Sequence, residues 1–300
     1  MHNGRGRSLP ACLNNITTEH LKTVQKTHIK ANQPWWIINW RELLEYRDLF
    51  WLTVHRDLTS IYKQSVLGPL WFVIQPIMTT VVFTVVFGNF GKMSTDGLPP
   101  LLFYMSGLVL WNYFQGVLNG AASSLLTNAG VLRKVYFPRL LPPLSSVVTY
   151  LGHFTINFLV FIGFLTYFLI KGSDVHPSWW IVLLPGLVFH CACVGLGAGL
   201  WLAAMTIKYR DVSFALPFLT SLWMYASPIV WASSSVPARW KWVIAVNPMA
   251  GVIELNRFAF LGAGSPDKVL LLTSFAAGLL LLVSGVFVFN RAQRTFVDTI

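Results

Sequence analysis

Long apolar runs are the feature that most restricts how this chain can fold. Six of them occupy residues 67–87, 98–126, 144–170, 179–205, 214–231 and 269–289. A helix rises about 1.5 Å per residue, so roughly 18–20 apolar residues cross the hydrocarbon core of a bilayer. Only 11% of the residues are charged, whereas soluble domains carry about 25%. The pattern predicts an all-α integral membrane protein with six transmembrane helices.

The basic residues predict how these helices are oriented. The formal net charge is +11, and the 22 Lys and Arg residues lie in short loops and tails, not on one dense face. This distribution argues against nucleic acid as the partner. With the amino terminus inside, sixteen of the 22 fall on the inner side and six on the outer side. Because cytoplasmic loops are enriched in Lys and Arg, we expect both termini in the cytoplasm.

The region before the first apolar run divides into two parts. Residues 1–34 are polar and lack an apolar core, so we interpret them as a cytoplasmic tail and not as a secretory signal. Residues 35–66 contain a stretch, residues 40–63, whose apolar side chains recur at helical spacing. It predicts an amphipathic helix on the cytoplasmic membrane surface. The alternative is a helix packed on a soluble partner.

Residues 67–290 then form the predicted transmembrane domain, and residues 291–300 a second cytoplasmic tail. Within that domain, residues 232–266 are too long for a tight loop and too apolar for a solvated one. Asn247-Pro248 divides this stretch and is a turn or helix-start signal. We therefore expect two short helices that dip into the outer leaflet without crossing it, with their backbone buried against protein.

Catalytic groups are scarce in the apolar runs. None of the eleven Asp and Glu residues lies within a predicted span, although ion-coupled transporters usually carry carboxylates there. The chain has no Gly-x-x-x-x-Gly-Lys-Ser/Thr loop and no nucleophile motif. Gly195 and Gly199 indicate close helix packing, and His190 and His153 indicate hydrogen bonds to neighbouring helices. If transport is active, its energy must come from another polypeptide.

The inner loop at residues 125–143 is the best candidate for contact with that polypeptide. Its run LRKVYFPR (residues 132–139) alternates basic and aromatic side chains before a proline stops the helix. Aromatic residues often anchor interfaces. The alternative is a topology signal with interfacial anchoring, which any inner loop can show. The short loop around Tyr209-Arg210-Asp211 would lie on the same side.

Several motifs together resemble the permeases of ABC-2 type transporters. The run YKQSVLGPLW (residues 62–71), followed by Gln75-Pro76, is similar to the entry to their first span. LRKVYFPR is similar to the cytoplasmic signature of the branch that exports O-antigen, capsule or teichoic-acid polysaccharides. YRDV (209–212), NPM (247–249) and FNRAQRTF (289–296) follow in the expected order. The resemblance extends from about Arg41 to the carboxyl terminus.

This resemblance implies a transport subunit and not an enzyme. It implies a homodimer in the bacterial inner membrane, bound to two copies of a separate ATPase that holds ATP and Mg²⁺; this chain itself would bind no cofactor and no metal. The substrate would be a lipid-linked polysaccharide, O-antigen first among the possibilities, in lipopolysaccharide biosynthesis. An ABC-2 exporter of teichoic acid, capsule, a drug or a small lipid is the alternative. A membrane enzyme would need a reactive constellation that the spans lack.

By position, the resemblance also predicts functional residues. The coupling helix would lie near residues 128–138 and the gate helices within residues 237–260. The predicted ATPase-coupling residues are Arg133, Lys134, Tyr136, Phe137, Arg139, Arg210 and Asp211. The predicted gate residues are Trp240, Trp242, Asn247 and Pro248. Aromatic faces can contact sugar rings without holding them tightly, and the channel candidates are Trp71, Phe72, Phe83, Trp111, Tyr113, Phe114, Trp223, Tyr225 and Trp231.

Overall fold

The described part of the chain consists of helices joined by turns and loops. The computed structural model describes residues 40–63, 67–132, 137–209, 211–264 and 267–295, and no β-strand occurs in these ranges. The predicted tail at residues 1–34 lies outside them. The helices are α1 (Trp40–Glu45), α2 (Arg47–Tyr62), α3 (Trp71–Phe83, continued by a π-helix, Thr84–Phe90), α4 (Pro100–Thr127), α5 (Ala129–Leu132), α6 (Leu141–Ile170), α7 (Leu184–Lys208), α8 (Asp211–Tyr225), α9 (Lys241–Val246), α10 (Ala250–Leu261) and α11 (Lys268–Thr295).

Five helical segments are long and apolar enough to cross a membrane. They are Trp71–Phe90, Pro100–Val131, Leu141–Ile170, Trp179–Thr206 and Lys268–Gln293. They coincide with five of the six predicted runs. Within the described residues, the prediction of an all-α membrane protein with several spans is therefore confirmed.

The predicted span at residues 214–231 is shorter than expected. Its helix, α8, contains 15 residues and ends at Tyr225, which corresponds to roughly 22 Å. The chain then turns, and the Ile229 amide bonds to the carbonyl oxygen of Ser227. Pro228 has no amide hydrogen to donate to a helical bond, which favours a helix end just before this position. Apolar composition alone did not reveal this stop.

Glycines let α7 pack closely against helices on two opposite faces. A Cβ on Gly199 would lie 2.8 Å from the Leu118 carbonyl oxygen in α4. A Cβ on Gly197 would lie 2.6 Å from the Leu282 amide nitrogen in α11. Both distances are too short for a side chain, so backbone packs against backbone at each face. The predicted close packing at Gly195 and Gly199 is confirmed, since both positions face α4.

The contacts also fix the direction of each helix. Gly195 and Gly199 lie against Phe114 and Ala121, in ascending order, so α7 runs parallel to α4. In the same way α11 runs parallel to α7, because His190 and Trp201 contact Gly278 and Ser284. By contrast, α6 and α8 run antiparallel to α4. Their ordered contacts are Gly116 with Tyr150 and Gly120 with Ser146 for α6, and Gln115 with Thr220 and Trp111 with Trp223 for α8.

The short helices α9 and α10 form a hairpin at one end of the bundle. The turn between them contains Asn247-Pro248, and the Pro248 carbonyl oxygen lies 3.0 Å from His190 Nε2, within α7. From there α10 returns to the chain segment before α7, where the His176 amide bonds to the Leu261 carbonyl oxygen. We call this end of the bundle the hairpin end. The predicted pair of short helices divided at Asn247 is present.

The helix α2 packs on α6, although the apolar side chains of α1 and α2 are not all on the packed face. Val54 is buried and Leu58 approaches Gly152 of α6. Leu44 and Trp51, expected on the same face, are exposed. A turn at Tyr46 separates α1 from α2 and interrupts the periodicity. The exposed apolar side chains leave both alternatives open, a membrane surface or a partner.

Replacing Gly197 with alanine should destabilise the bundle. Alanine is the better helix former, but its Cβ would collide with the backbone of α11. We expect a loss of roughly 1–3 kcal/mol in the free energy of unfolding, measured by thermal unfolding of the purified protein in detergent.

Gly163→Ala is the matched control, because its Cβ would meet no atom within 4 Å among the described residues of α6 and its neighbours. It should be neutral or stabilise by about 0.5–1 kcal/mol. Equal shifts in both variants would show that the contact between α7 and α11 does not limit stability.

Candidate functional site

Three of the seven predicted coupling residues are described, Phe137, Arg139 and Asp211, and they lie at the end of the bundle opposite the hairpin end. Arg133, Lys134, Tyr136 and Arg210 fall outside the described residues. Asp211 begins α8 and is exposed. This end therefore exposes one of the predicted coupling residues that the structure describes.

Phe137 and Arg139 are engaged within the chain. Phe137 is buried, at 5% exposure, so in this structure its ring is not available as an interface anchor. A role for Phe137 in coupling stays a prediction. The Arg139 guanidinium donates a hydrogen bond to the Gln293 carbonyl oxygen, near the end of α11. Arg139 thus holds the loop after α5 against the last turn of α11.

Four of the nine channel candidates are core residues. Phe83, Trp111, Tyr113 and Phe114 are buried, and Trp111 is 0% exposed. The rings of Trp111 and Phe114 are 4.9 Å apart, and Phe114 meets the Trp223 ring at the same distance. These four belong to α3 and the central helix α4, which α3, α6, α7, α8 and α10 surround. As placed here they offer no surface to a sugar.

The other five channel candidates have free surface to differing degrees. Phe72, Trp223 and Trp231 are half-buried. Phe72 stacks on His153, with ring centroids 4.4 Å apart. Trp71 and Tyr225 are exposed at 48% and 49%. A role for these five in a channel stays a prediction.

The two histidines of the apolar runs differ in their bonding. His190 bonds to the Pro248 carbonyl oxygen, as the sequence predicted for a histidine joined to a neighbouring helix. His153 contacts the rings of Phe72 and Tyr150, and its Nε2 has no hydrogen-bond partner among the described residues. For His153 the predicted bond to a neighbouring helix is absent from this part of the chain.

Asn247, one of the four predicted gate residues, joins three helices at the hairpin turn. Its side-chain oxygen accepts hydrogen bonds from Trp223 Nε1 at 3.1 Å and from the Met249 amide at 3.0 Å. Its amide nitrogen donates to Ser227 Oγ at 2.9 Å. Its carbonyl oxygen accepts from Ser274 Oγ in α11 at 3.0 Å. A single asparagine therefore ties the end of α8 and the start of α11 to the hairpin.

The other gate residues differ in exposure. The indoles of Trp240 and Trp242 are exposed, and Pro248 contributes its carbonyl oxygen to His190. The two tryptophans are thus free to meet lipid or a ligand, whereas the turn itself is held in place.

A cavity of about 640 Å³ lies beside this hairpin, and the sequence analysis did not identify it. Its wall contains charged groups of both signs together with an indole and serine hydroxyls. The polar and aromatic lining residues are Asp96, Ser233, Ser234, Lys241, Trp242, Glu254, Arg257 and Asp267. The available signal was Glu254 and Arg257 themselves, the two charged residues of the largely apolar helix α10.

Arg257 is the most constrained charge in this wall. Its side chain is 4% exposed, its guanidinium carbon lies 3.6 Å from the centroid of the Phe103 ring, and Nη2 donates to the Pro228 carbonyl oxygen at 3.0 Å. Burial lowers the pKa of Arg257 to about 10, so it stays protonated at neutral pH. Burial raises the pKa of Glu254 to about 7.

In the described residues no group of three or more His, Cys, Asp or Glu could hold a metal ion.

Comparison with known proteins agrees with the motifs. The O-antigen export system permease protein RfbA of Myxococcus xanthus is 29% identical over 265 residues, 87% of this chain and 98% of that protein. RfbA of Klebsiella pneumoniae is 26% identical over 251 residues, 84% of this chain and 94% of that protein. The polysialic acid transport protein KpsM of Escherichia coli is 21% identical over 207 residues, 68% and 78% respectively.

A family model supplies the assignment. The model described as ABC-2 type transporter matches residues 48–261, which include α2 through α10 except the first residue of α2. That range is more than half of the chain. It contains the LRKVYFPR loop, the glycine-packed helix α7 and the Asn247 hairpin, and the resemblance inferred from the motifs is confirmed. This chain belongs to the ABC-2 type transporter family.

Proposed function

We propose that this chain is the membrane permease of an ATP-driven exporter that moves a lipid-linked polysaccharide, O-antigen in the first place, out of the cytoplasm. The observation that carries the proposal is its likeness to O-antigen export permeases over nearly the full length of those proteins. Capsule and polysialic acid transporters match at lower identity. Teichoic acid, capsule, a drug or a small lipid is the alternative cargo.

Helix direction supports six crossings. Because α7 and α11 run parallel, the chain must return to the hairpin end between residues 208 and 268. The helix α8 makes that return, since it runs antiparallel to α4. Its roughly 22 Å falls short of the roughly 30 Å core, and the turn after Tyr225 continues towards the hairpin. The hairpin helices α9 and α10 then dip inward and return without crossing.

The basic residues support an orientation with the hairpin end outside. The hairpin end holds Lys92, Lys171, Arg239, Lys241, Arg257 and Lys268, the six basic residues assigned to the outer side, against sixteen assigned to the inner side. Both termini then lie in the cytoplasm of a bacterial cell, in the inner membrane.

The energy source is a separate subunit. The five candidate spans contain no Asp or Glu, so they offer no carboxylate for ion coupling. The chain also lacks a phosphate-binding loop. We propose a homodimer of this chain with two copies of an ABC ATPase that holds ATP and Mg²⁺. The ATPase would contact the loop around residues 128–139 and the start of α8.

The function is tested by deleting the gene and restoring it. Deletion should remove the polysaccharide from the cell surface and leave lipid-linked glycan in the cytoplasm, and the wild-type chain should reverse both. Immunoblots of surface and cytoplasmic glycan measure this. Normal surface glycan, with a drug or small lipid retained instead, would favour the alternative cargo.

Charge reversal should test the coupling loop. Arg133→Glu with Lys134→Glu should lower export by about tenfold or more. The reversed charges would no longer complement the surface of the ATPase, and this loss of complementarity weakens association. The amount of chain in the membrane should not change. Export is measured as surface glycan and membrane content by immunoblot.

Lys171→Glu, an exposed reversal at the hairpin end, is the matched control and should export normally. Normal export by the Arg133/Lys134 variant would exclude this loop as the coupling element.

Thiol labelling should test the orientation. In a chain whose Cys12, Cys191 and Cys193 are replaced by alanine, Lys171→Cys should react with a membrane-impermeant maleimide in intact cells. Thr127→Cys, exposed at the opposite end, should react only after the inner membrane is opened. The reverse pattern would place the hairpin end in the cytoplasm.

A further inference from the structure

The cavity at the hairpin end has the dimensions of a ligand site. Its volume is about 640 Å³, within the roughly 300–1,000 Å³ typical of small-molecule pockets. It is bounded by α9, α10, the start of α11 and the segments around Asp96 and Ser233. None of these elements belongs to the predicted coupling loop, so the cavity is separate from the ATPase side of the chain.

The charges of the wall restrict what can occupy it. Three carboxylates, of Asp96, Glu254 and Asp267, face two cations, of Lys241 and Arg257. A phosphate would meet the carboxylates, and a metal cation would meet the guanidinium and the ammonium. A neutral ligand with many hydroxyls suits both, because each hydroxyl donates one hydrogen bond and accepts others.

Two residues of the wall carry buried polar atoms that lack a hydrogen-bond partner among the described residues. Arg257 is more than nine-tenths buried, and its Nε has no hydrogen-bond partner among the described residues. The same is true of the buried hydroxyl of Ser233. Leaving a buried donor unpaired is costly, so buried polar groups are nearly always paired, with protein, water or a ligand. The stacking on Phe103 and the bond to Pro228 hold Arg257 in place at the wall.

The indole of Trp242 is a wall group that suits a sugar ring. Trp242 lines the cavity, yet its side chain is 66% exposed. A flat indole face is apolar over a large area and can pack against the C–H face of a pyranose. The two carboxylates already in use keep acceptor capacity: Asp96 accepts from Ser234 Oγ at 2.6 Å, and Asp267 accepts from the Val269 amide at 2.9 Å.

We propose that this cavity binds one neutral sugar unit, with Trp242 packing on the ring and Arg257, Glu254 and Ser233 bonding to its hydroxyls. The inference rests on the proposed function, in which the sugar belongs to the exported glycan. It assigns a glycan-binding site at the hairpin end whose lining contains none of the nine aromatic channel candidates. The site would hold a sugar of the chain as the glycan leaves the membrane.

Binding is tested with the full-length chain in lipid nanodiscs by saturation-transfer difference NMR. The probes are the methyl glycosides of glucose, galactose and N-acetylglucosamine, at pH 8, where most Glu254 is ionised. At least one glycoside should show transfer. Trp242→Ala and Glu254→Gln should each weaken its dissociation constant by about tenfold, because each removes a principal contact.

Trp179→Ala and Asp174→Asn are the matched controls, since both side chains are exposed at the same end and neither lines the cavity. They should bind as the wild type does. The proposal is overturned if no glycoside shows transfer or if the cavity variants bind normally. Displacement of the glycoside by equimolar inorganic phosphate would also overturn it, because that result identifies an anion site.

Export separates this inference from the proposed function. If the deletion strain keeps its surface glycan, the proposed function fails whatever the cavity binds. If the wild-type chain restores the glycan and Glu254→Gln restores it equally, in amount and chain length, only the cavity inference fails. A shortfall in the Glu254→Gln strain, with normal Asp174→Asn, supports both.

Discussion

The backbone contact of α7 with two helices is the constraint on which the rest of the bundle depends. Gly195 and Gly199 admit α4 on one face, and Gly197 meets Gly285 and its neighbours in α11 on another. With little hydrophobic drive between helices in lipid, such close packing is a main source of association. Because all three helices run in the same direction, α6 must return the chain between α4 and α7, and α8 with the hairpin must do so between α7 and α11.

The hairpin end follows from that requirement. The return helix α8 stops at Tyr225, so polar backbone emerges where the hairpin packs, and it needs hydrogen-bond partners. Asn247 supplies several of them through the end of α8, and Ser274 of α11 bonds to the Asn247 carbonyl oxygen. Arg257 supplies another through the Pro228 carbonyl oxygen. The same arrangement that completes the return of the chain also brings five charged side chains around one cavity.

The distribution of charged residues along the bundle is consistent with a transport subunit. The five candidate spans carry no acidic residue, whereas the hairpin end carries Asp96, Glu254 and Asp267. Among the described residues, the opposite end carries Arg139 and the start of α8. Arg139 belongs to the motif predicted to contact the ATPase. Its hydrogen bond to the Gln293 carbonyl oxygen shows that it also stabilises the fold at that end. A variant of Arg139 would therefore disturb the fold as well as any interface.

The sequence by itself determined the membrane character, the helical class, the family and the small-residue face of α7. Each is a property of runs and spacings, which survive any arrangement of neighbours. Only the tertiary structure decided that Trp111 and Phe114 are core residues, that α8 ends at Tyr225, and that Arg257 is buried with an unpaired nitrogen. Spacing tells which side chains share a helical face, but not which helix covers that face. In this chain 55% of the residues are hydrophobic. The sequence alone therefore does not distinguish an apolar side chain buried against protein from one that contacts lipid.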